Sequence, residues 1–167
     1  MLSDQFTETF RDEHRQVRDT LLRLMQAFNE RDLPRVRSLL DQTATLTGPH
    51  FRYEEEAVYP ALTEFFGDEY VEQLYGDHDR AIRTAKQLVE LAGKEALTDD
   101  DVKAAVRGVR SVLPHVSDCQ GLAIMVECLS DAQVQAILDT RERSLKAGLN
   151  LLQWADTVRS RPTIPLN

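Results

Sequence analysis

The sequence predicts an all-α fold: an up-down-up-down four-helix bundle made of two αα-hairpin repeats, with a fifth helix at its C-terminal end. Three observations carry this. Apolar residues recur with period 3.6, and no segment alternates with period 2 for long. The pattern occurs twice, since Asp12-Glu13-His14-Arg15 resembles Gly76-Asp77-His78-Asp79-Arg80 and Pro49-His50 matches Pro114-His115. The four histidines of the chain keep that repeat, with His14 and His78 64 residues apart and His50 and His115 65 apart.

The first helix is expected from Ser3 to Asn29, with Phe6, Phe10, Val17, Leu21, Leu24 and Phe28 on one stripe and His14 in its middle. Asp32 can cap the second, which has Pro34 in its first turn and runs to about Leu62. Gly48-Pro49 should bend it just before His50. Asp68 opens the third helix, whose face of Val71, Leu74, His78, Ile82, Ala85, Leu88 and Val89 ends near Gly93. Thr98 followed by Asp101 is a capping-box start for the fourth, whose stripe extends through His115, Cys119 and Leu122 to Val126. Ser130 with Gln133 begins the fifth, which runs to about Arg159. The expected layout is a bundle over residues 1–130, an added helix packed on it over 131–159, and a tail over 160–167.

Composition excludes several classes. The chain has 167 residues, 42% hydrophobic and 29% charged, as in an ordinary globular domain. A net charge of −8 argues against nucleic acid or an anionic membrane as partner, because neutralising phosphate needs clustered cations. No apolar run reaches membrane-spanning length, and Met1-Leu2-Ser3-Asp4 lacks a basic, then apolar, leader, so a cytoplasmic location is expected. Cys119 and Cys128 are nine residues apart, about 900° around a single helix, which puts them on opposite faces and precludes a disulfide while that helix holds.

His14, His50, His78 and His115 each lie on the apolar stripe of their own helix, so a bundle turns all four imidazoles toward one interior. An unpaired polar group in a core costs about 1–3 kcal/mol, and four imidazoles at one level cannot satisfy each other; a metal cation can. Glu54 follows His50 by four residues, which projects the two side chains about 40° apart, close enough for one site. Glu55 and Glu56 adjoin it as a solvated run. The aligned position in the second half is Cys119, a metal ligand or a small buried apolar residue, with Asp118 as an alternative reach. Tyr53 could approach from the turn of His50 or simply pack, and Cys128 is expected in the core. There is no glycine-rich phosphate loop and no Cys-x-x-Cys pair. The Glu-x-x-His motif of ferritin-like bundles is also missing, since Arg11, Thr47, Tyr75 and Val112 stand three before the histidines.

The stretch His50-Phe51-Arg52-Tyr53-Glu54-Glu55-Glu56, followed by Tyr59-Pro60-Ala61-Leu62, resembles the second-helix signature of the hemerythrin-like family of haem-free iron proteins. Asp12-Glu13-His14 and Asp77-His78-Asp79 are similar to its first and third helices, and the resemblance covers roughly residues 5 to 130. It implies iron, two ions per chain, held by His14, His50, His78 and His115 and bridged by Glu54. The chain departs from the family twice. Ile82 stands four after His78 where oxygen carriers have a second histidine, and Cys119 and Gln120 replace the helix-four carboxylate. These departures favour reactivity over reversible carriage, and bring a single iron, or zinc, into play. Three functions follow as expectations: an iron site that binds or reacts with O2, peroxide or nitric oxide; a metalloenzyme, an oxidoreductase acting on a small organic substrate; or a metal-dependent sensing module that uses the fifth helix. The oligomeric expectation is a monomer or homodimer.

Overall fold

The computed structural model describes residues 1–161, and these are all-helical, without a strand. Helix α1 (Leu2–Glu30) buries Phe6, Phe10, His14, Val17, Leu21, Leu24 and Phe28, the expected stripe. It stops at Arg31, whose left-handed backbone (φ 56°) turns the chain into Asp32. The Asp32 carboxylate accepts the Arg35 amide at 3.1 Å and caps α2 (Leu33–Tyr53).

Helix α2 passes through Pro49 and gives way to a π-helical turn over Glu54–Val58, closed by the Tyr59 amide donating to the Glu54 carbonyl. Helix α3 (Tyr59–Ala92) then contains one non-helical residue, Gly67 (φ 77°, ψ 164°), immediately before the expected start at Asp68. Helix α4 (Asp99–Gln120) opens with the reciprocal Thr98–Asp101 cap.

Two expectations about the later helices are corrected. The fourth helix does not run on to Val126: it ends at Gln120, and α5 (Ala123–Val126) follows as a separate turn. The fifth is two helices, α6 (Asp131–Ala147) and α7 (Leu151–Thr157). Gly148 (φ 63°) ends the first, and Asn150 with Gln153 caps the second. Most of the tail expected over 160–167 lies outside the described residues.

Helix α1 packs on α2 and α4, and α3 on both α2 and α4, so the four long helices meet in a closed cycle. Helix α6 covers α1, α2 and the π turn, while α7 lies on α2 and α3. The α6–α7 connection sits so close to α2 that a Cβ on Gly48 would fall 2.3 Å from the Leu149 carbonyl oxygen. Along the long helices the histidines fall between two apolar clusters. One contains Phe6, Phe10, Tyr59 and Cys119; the other contains Leu24, Phe28, Leu88 and Val109. Among the residues expected inside, Cys128 is exposed, as is Val89 (48%). Both cysteines are free, and the end of α4 separates them. No helix among the described residues is long and apolar enough to cross a membrane.

Candidate metal centre

Each imidazole comes from a different long stretch of helix, and all four are buried: His14 3%, His50 5%, His78 0% and His115 7% exposed. The π turn decides what the second helix contributes. In an α-helix, residues five apart point about 140° away from each other; a turn with i→i+5 hydrogen bonds brings them back over one another. The turn thus buries Glu54, Glu55 and Tyr59 together, while Glu56 stays outside.

All four rings are tied at Nδ1. His14 donates to the Phe10 carbonyl (2.7 Å), His50 to Glu13 Oε2 (2.8 Å), His78 to Glu55 Oε1 (2.9 Å) and His115 to Asp77 Oδ2 (3.2 Å). Each acceptor is a carbonyl or carboxylate oxygen, which assigns the Nδ1 proton and directs Nε2 the other way. This is the arrangement that fixes the tautomer and orientation of metal-binding histidines.

The Nε2 atoms gather round Glu54, which is wholly buried. His50 Nε2 is 3.1 Å and His14 Nε2 3.8 Å from Oε1; His78 Nε2 is 3.1 Å from Oε2. Cys119 Sγ joins the first side, 2.9 Å from Oε1. The Tyr59 hydroxyl joins the second, 3.0 Å from His78 Nε2 and 3.5 Å from Oε2. Two groups of donor atoms, each within 4.8 Å, therefore share one carboxylate: His14, Glu54 and Cys119 on one side, Glu54, His78 and His115 on the other. Aromatic rings wall the site, with Phe51 stacked on His78 (centroids 3.8 Å apart) and Phe10 against His14 (4.3 Å).

Electrostatics divide the rings into two pairs. Burial holds His14 down to about 4 and His115 down to about 3, so both are neutral near pH 7. For His50 burial acts the same way, but Glu54 and Glu13 outweigh it and push the ring up to about 10. His78 is likewise raised, because the hydrogen bonds it donates to Glu54 and Glu55 overcome burial. Glu54, despite burial, is held well below the carboxylate range by His50 and His78. Burial and then Glu54 push the Cys119 thiol well up. Without metal, the centre is thus a carboxylate between two imidazolium rings. The donor set fits a metal: nitrogens pre-aimed by their outer hydrogen bonds, and an anion already ionised at the centre.

Of the residues singled out in the sequence, His14, His50, Glu54, His78, His115 and Cys119 lie together at this centre. Tyr53 is buried but stands behind His50, its hydroxyl donating to Glu13 at 2.6 Å. Asp118 is exposed and belongs to neither group of donor atoms, though it lines a surface cavity with Asp77 and His115. Sequence reasoning missed Tyr59 and the oxygens behind the rings, Glu13, Glu55 and Asp77. It also treated Glu55 as solvated, whereas Glu55 is buried with two partners, His78 and Arg159. The repeat held a signal for Glu13 and Asp77, since both stand one residue before an aligned histidine.

The fold and the centre together define a helical, metal-binding protein. Residues 5–117 match the family described as Hemerythrin HHE cation binding domain, and the chain belongs to that family. No curated protein and no solved structure matches it.

Proposed function

We propose that this chain is a haem-free iron protein whose centre binds or reacts with O2, peroxide or nitric oxide, on an up-down-up-down four-helix bundle extended by the C-terminal helices. One observation carries the reading: four histidines, each tied at Nδ1, converge on both oxygens of a single buried carboxylate. His14, His50 and Cys119 would hold one ion on the Oε1 side of Glu54, and His78 and His115 a second on the Oε2 side, beside Tyr59. When bound, iron supplies redox chemistry and a coordination position for a diatomic or peroxide. The residues do the rest. Glu54 places a negative charge between the two donor groups, the apolar clusters on either side exclude water, and the buried Tyr59 hydroxyl, 3.0 Å from His78 Nε2, offers a proton there.

Two cavities adjoin the centre. An apolar one of about 60 Å³, lined by Val17, Phe51, Ala81, Val112 and Leu151 among others, reaches His115, and a more open one of about 370 Å³ reaches His14. The first has room for a diatomic; the second has the roughly 300–1,000 Å³ of a small-molecule site, which keeps an organic substrate as the second reading. The added helices are engaged on their own chain, which gives a partner-sensing role no specific support. Monomer or homodimer, cytoplasmic, without nucleic acid or membrane as partner, is the setting we propose.

The test is elemental analysis of protein produced with ample iron, followed by optical spectra under O2, peroxide and nitric oxide. Two irons per chain with ligand-dependent absorption changes are expected. One metal per chain, zinc in place of iron, or spectra indifferent to all three reactants would overturn the reading.

A further inference from the structure

Helices α6 and α7 lie beyond the matched segment, which ends at residue 117, yet two of the arginines that follow it reach the centre. Arg141, on α6, donates from Nε to Glu13 Oε1 at 2.6 Å, and Glu13 is the carboxylate behind His50. Arg159, just after α7, grips Glu55 with two donors: Nε to Oε2 at 3.0 Å and Nη2 to Oε1 at 2.7 Å. Glu55 is the carboxylate behind His78. A third donor, Nη1, reaches Asp79 Oδ1 at 2.7 Å. The same chain of contacts, arginine to carboxylate to Nδ1, thus occurs twice, once on each side of Glu54.

We propose that Arg141 and Arg159 are positioning residues, each orienting through one carboxylate the histidine of one metal position: Arg141 for the Glu54 Oε1 position, Arg159 for the Oε2 position. This rests on the metal-binding reading above.

Three features set these contacts apart from ordinary ion pairs. The Arg159 side chain is fully buried, its partners Glu55 and Asp79 are 5% and 3% exposed, and it lies 5.6 Å from the Trp154 ring. Surface pairs hold nothing in place, whereas a two-pronged arginine in a dry pocket fixes both the plane and the distance of the carboxylate. Arg159 Nη2 shares Glu55 Oε1 with His78, and Arg141 holds the second oxygen of the carboxylate that His50 uses, so a displaced guanidinium frees the acceptor that aims the ring. Finally, the α6–α7 connection is seated on Gly48, two residues before His50, at a distance that admits no side chain. The segment carrying both arginines is therefore registered against the helix that carries the centre.

A purely structural role and a positioning role differ in selectivity. Losing a staple loosens both metal positions together; losing an orienting contact loosens one. The experiment loads the full chain with cobalt(II), challenges it with a chelator, and follows the shifted Nδ1 proton resonances of the bound histidines. Their neighbours, Tyr53 beside His50 and Phe51 on His78, assign them. Arg141→Gln should lose the His50 resonance about 10–100-fold faster than the unsubstituted chain, with His78 unchanged; Arg159→Gln should do the reverse. Arg159→Lys keeps the buried charge, and so the fold, but lacks the fork; it should follow Arg159→Gln. Unchanged rates in all three variants, or equal acceleration at both positions, would overturn the proposal. An unsubstituted chain that takes up no cobalt would instead remove the metal-binding reading itself.

Discussion

Cys119 Sγ lies 2.9 Å from Oε1 of Glu54, closer to that oxygen than either histidine on the same side. A thiol therefore occupies the place where the repeat and the family lead one to expect a second carboxylate. Cys119→Ala removes the hydrogen bond and should cost the metal-free protein about 1 kcal/mol. In the cobalt-loaded protein it should also abolish near-ultraviolet sulfur-to-metal absorption. If the spectrum is the same with and without the thiol, Cys119 is not a ligand.

Glu54 is common to both donor groups, so Glu54→Gln should empty both positions. Elemental analysis should show metal content falling toward zero; a variant retaining one full ion would mean that only one group uses the carboxylate. Without metal, the substitution removes the carboxylate shared by both imidazolium rings and leaves each with one carboxylate, Glu13 or Glu55, so urea unfolding should record a loss of roughly 1.5–3 kcal/mol.

The metal-free protein should be most stable near pH 6.5. His14 and His115, held down to about 4 and about 3, bind fewer protons folded than unfolded below pH 6.5. Stability is then lost as pH falls, at up to roughly 1.4 kcal/mol per pH unit for each ring. His50, raised to about 10, binds more protons folded than unfolded above pH 6.5, and its contribution is lost as pH rises through 10. Unfolding midpoints measured from pH 4 to 10 test both limbs. A flat profile would contradict the assigned protonation states.

Metal must displace the protons on His50 and His78. Loading should therefore release protons near neutral pH and tighten as pH rises. Calorimetry in buffers of different ionisation enthalpy measures that release directly; uptake without release would mean that the rings are already neutral.

Gly48→Ala places a methyl group against backbone, where nothing short can move aside. It should cost roughly 1–3 kcal/mol. The loss should be accompanied by faster amide exchange in α7, which rests on the same helix. A neutral substitution would show that the α6–α7 connection yields.

Much of this was legible beforehand because one signal repeated. The apolar stripes and caps located α1 and the starts of α4 and α6, and the paired histidines pointed to the candidate centre. What escaped was whatever depends on a change of winding or on distant chain. Tyr59 is five residues after Glu54, a spacing that α-helical geometry turns away, and only the π turn brings it in. Glu55 read as solvated because its partner, Arg159, stands 104 residues later. The break after Ala147 was written in Gly148 and Asn150, but the apolar residues beyond, Leu149 and Trp154, continue the α-helical period closely enough to mask it.

The wide turn at Glu54–Val58 carries one residue more than an ordinary helix needs to bring Tyr59 round to Glu54. Deleting one codon, for example that of the half-buried Ala57, would restore regular winding and put Tyr59 four residues after Glu54, about 40° away, the same offset that joins His50 to Glu54. The phenol, the carboxylate and all four imidazoles would keep their facing. A lineage of such chains could thus gain or lose the extra residue in a single step without changing which side chains meet at the centre.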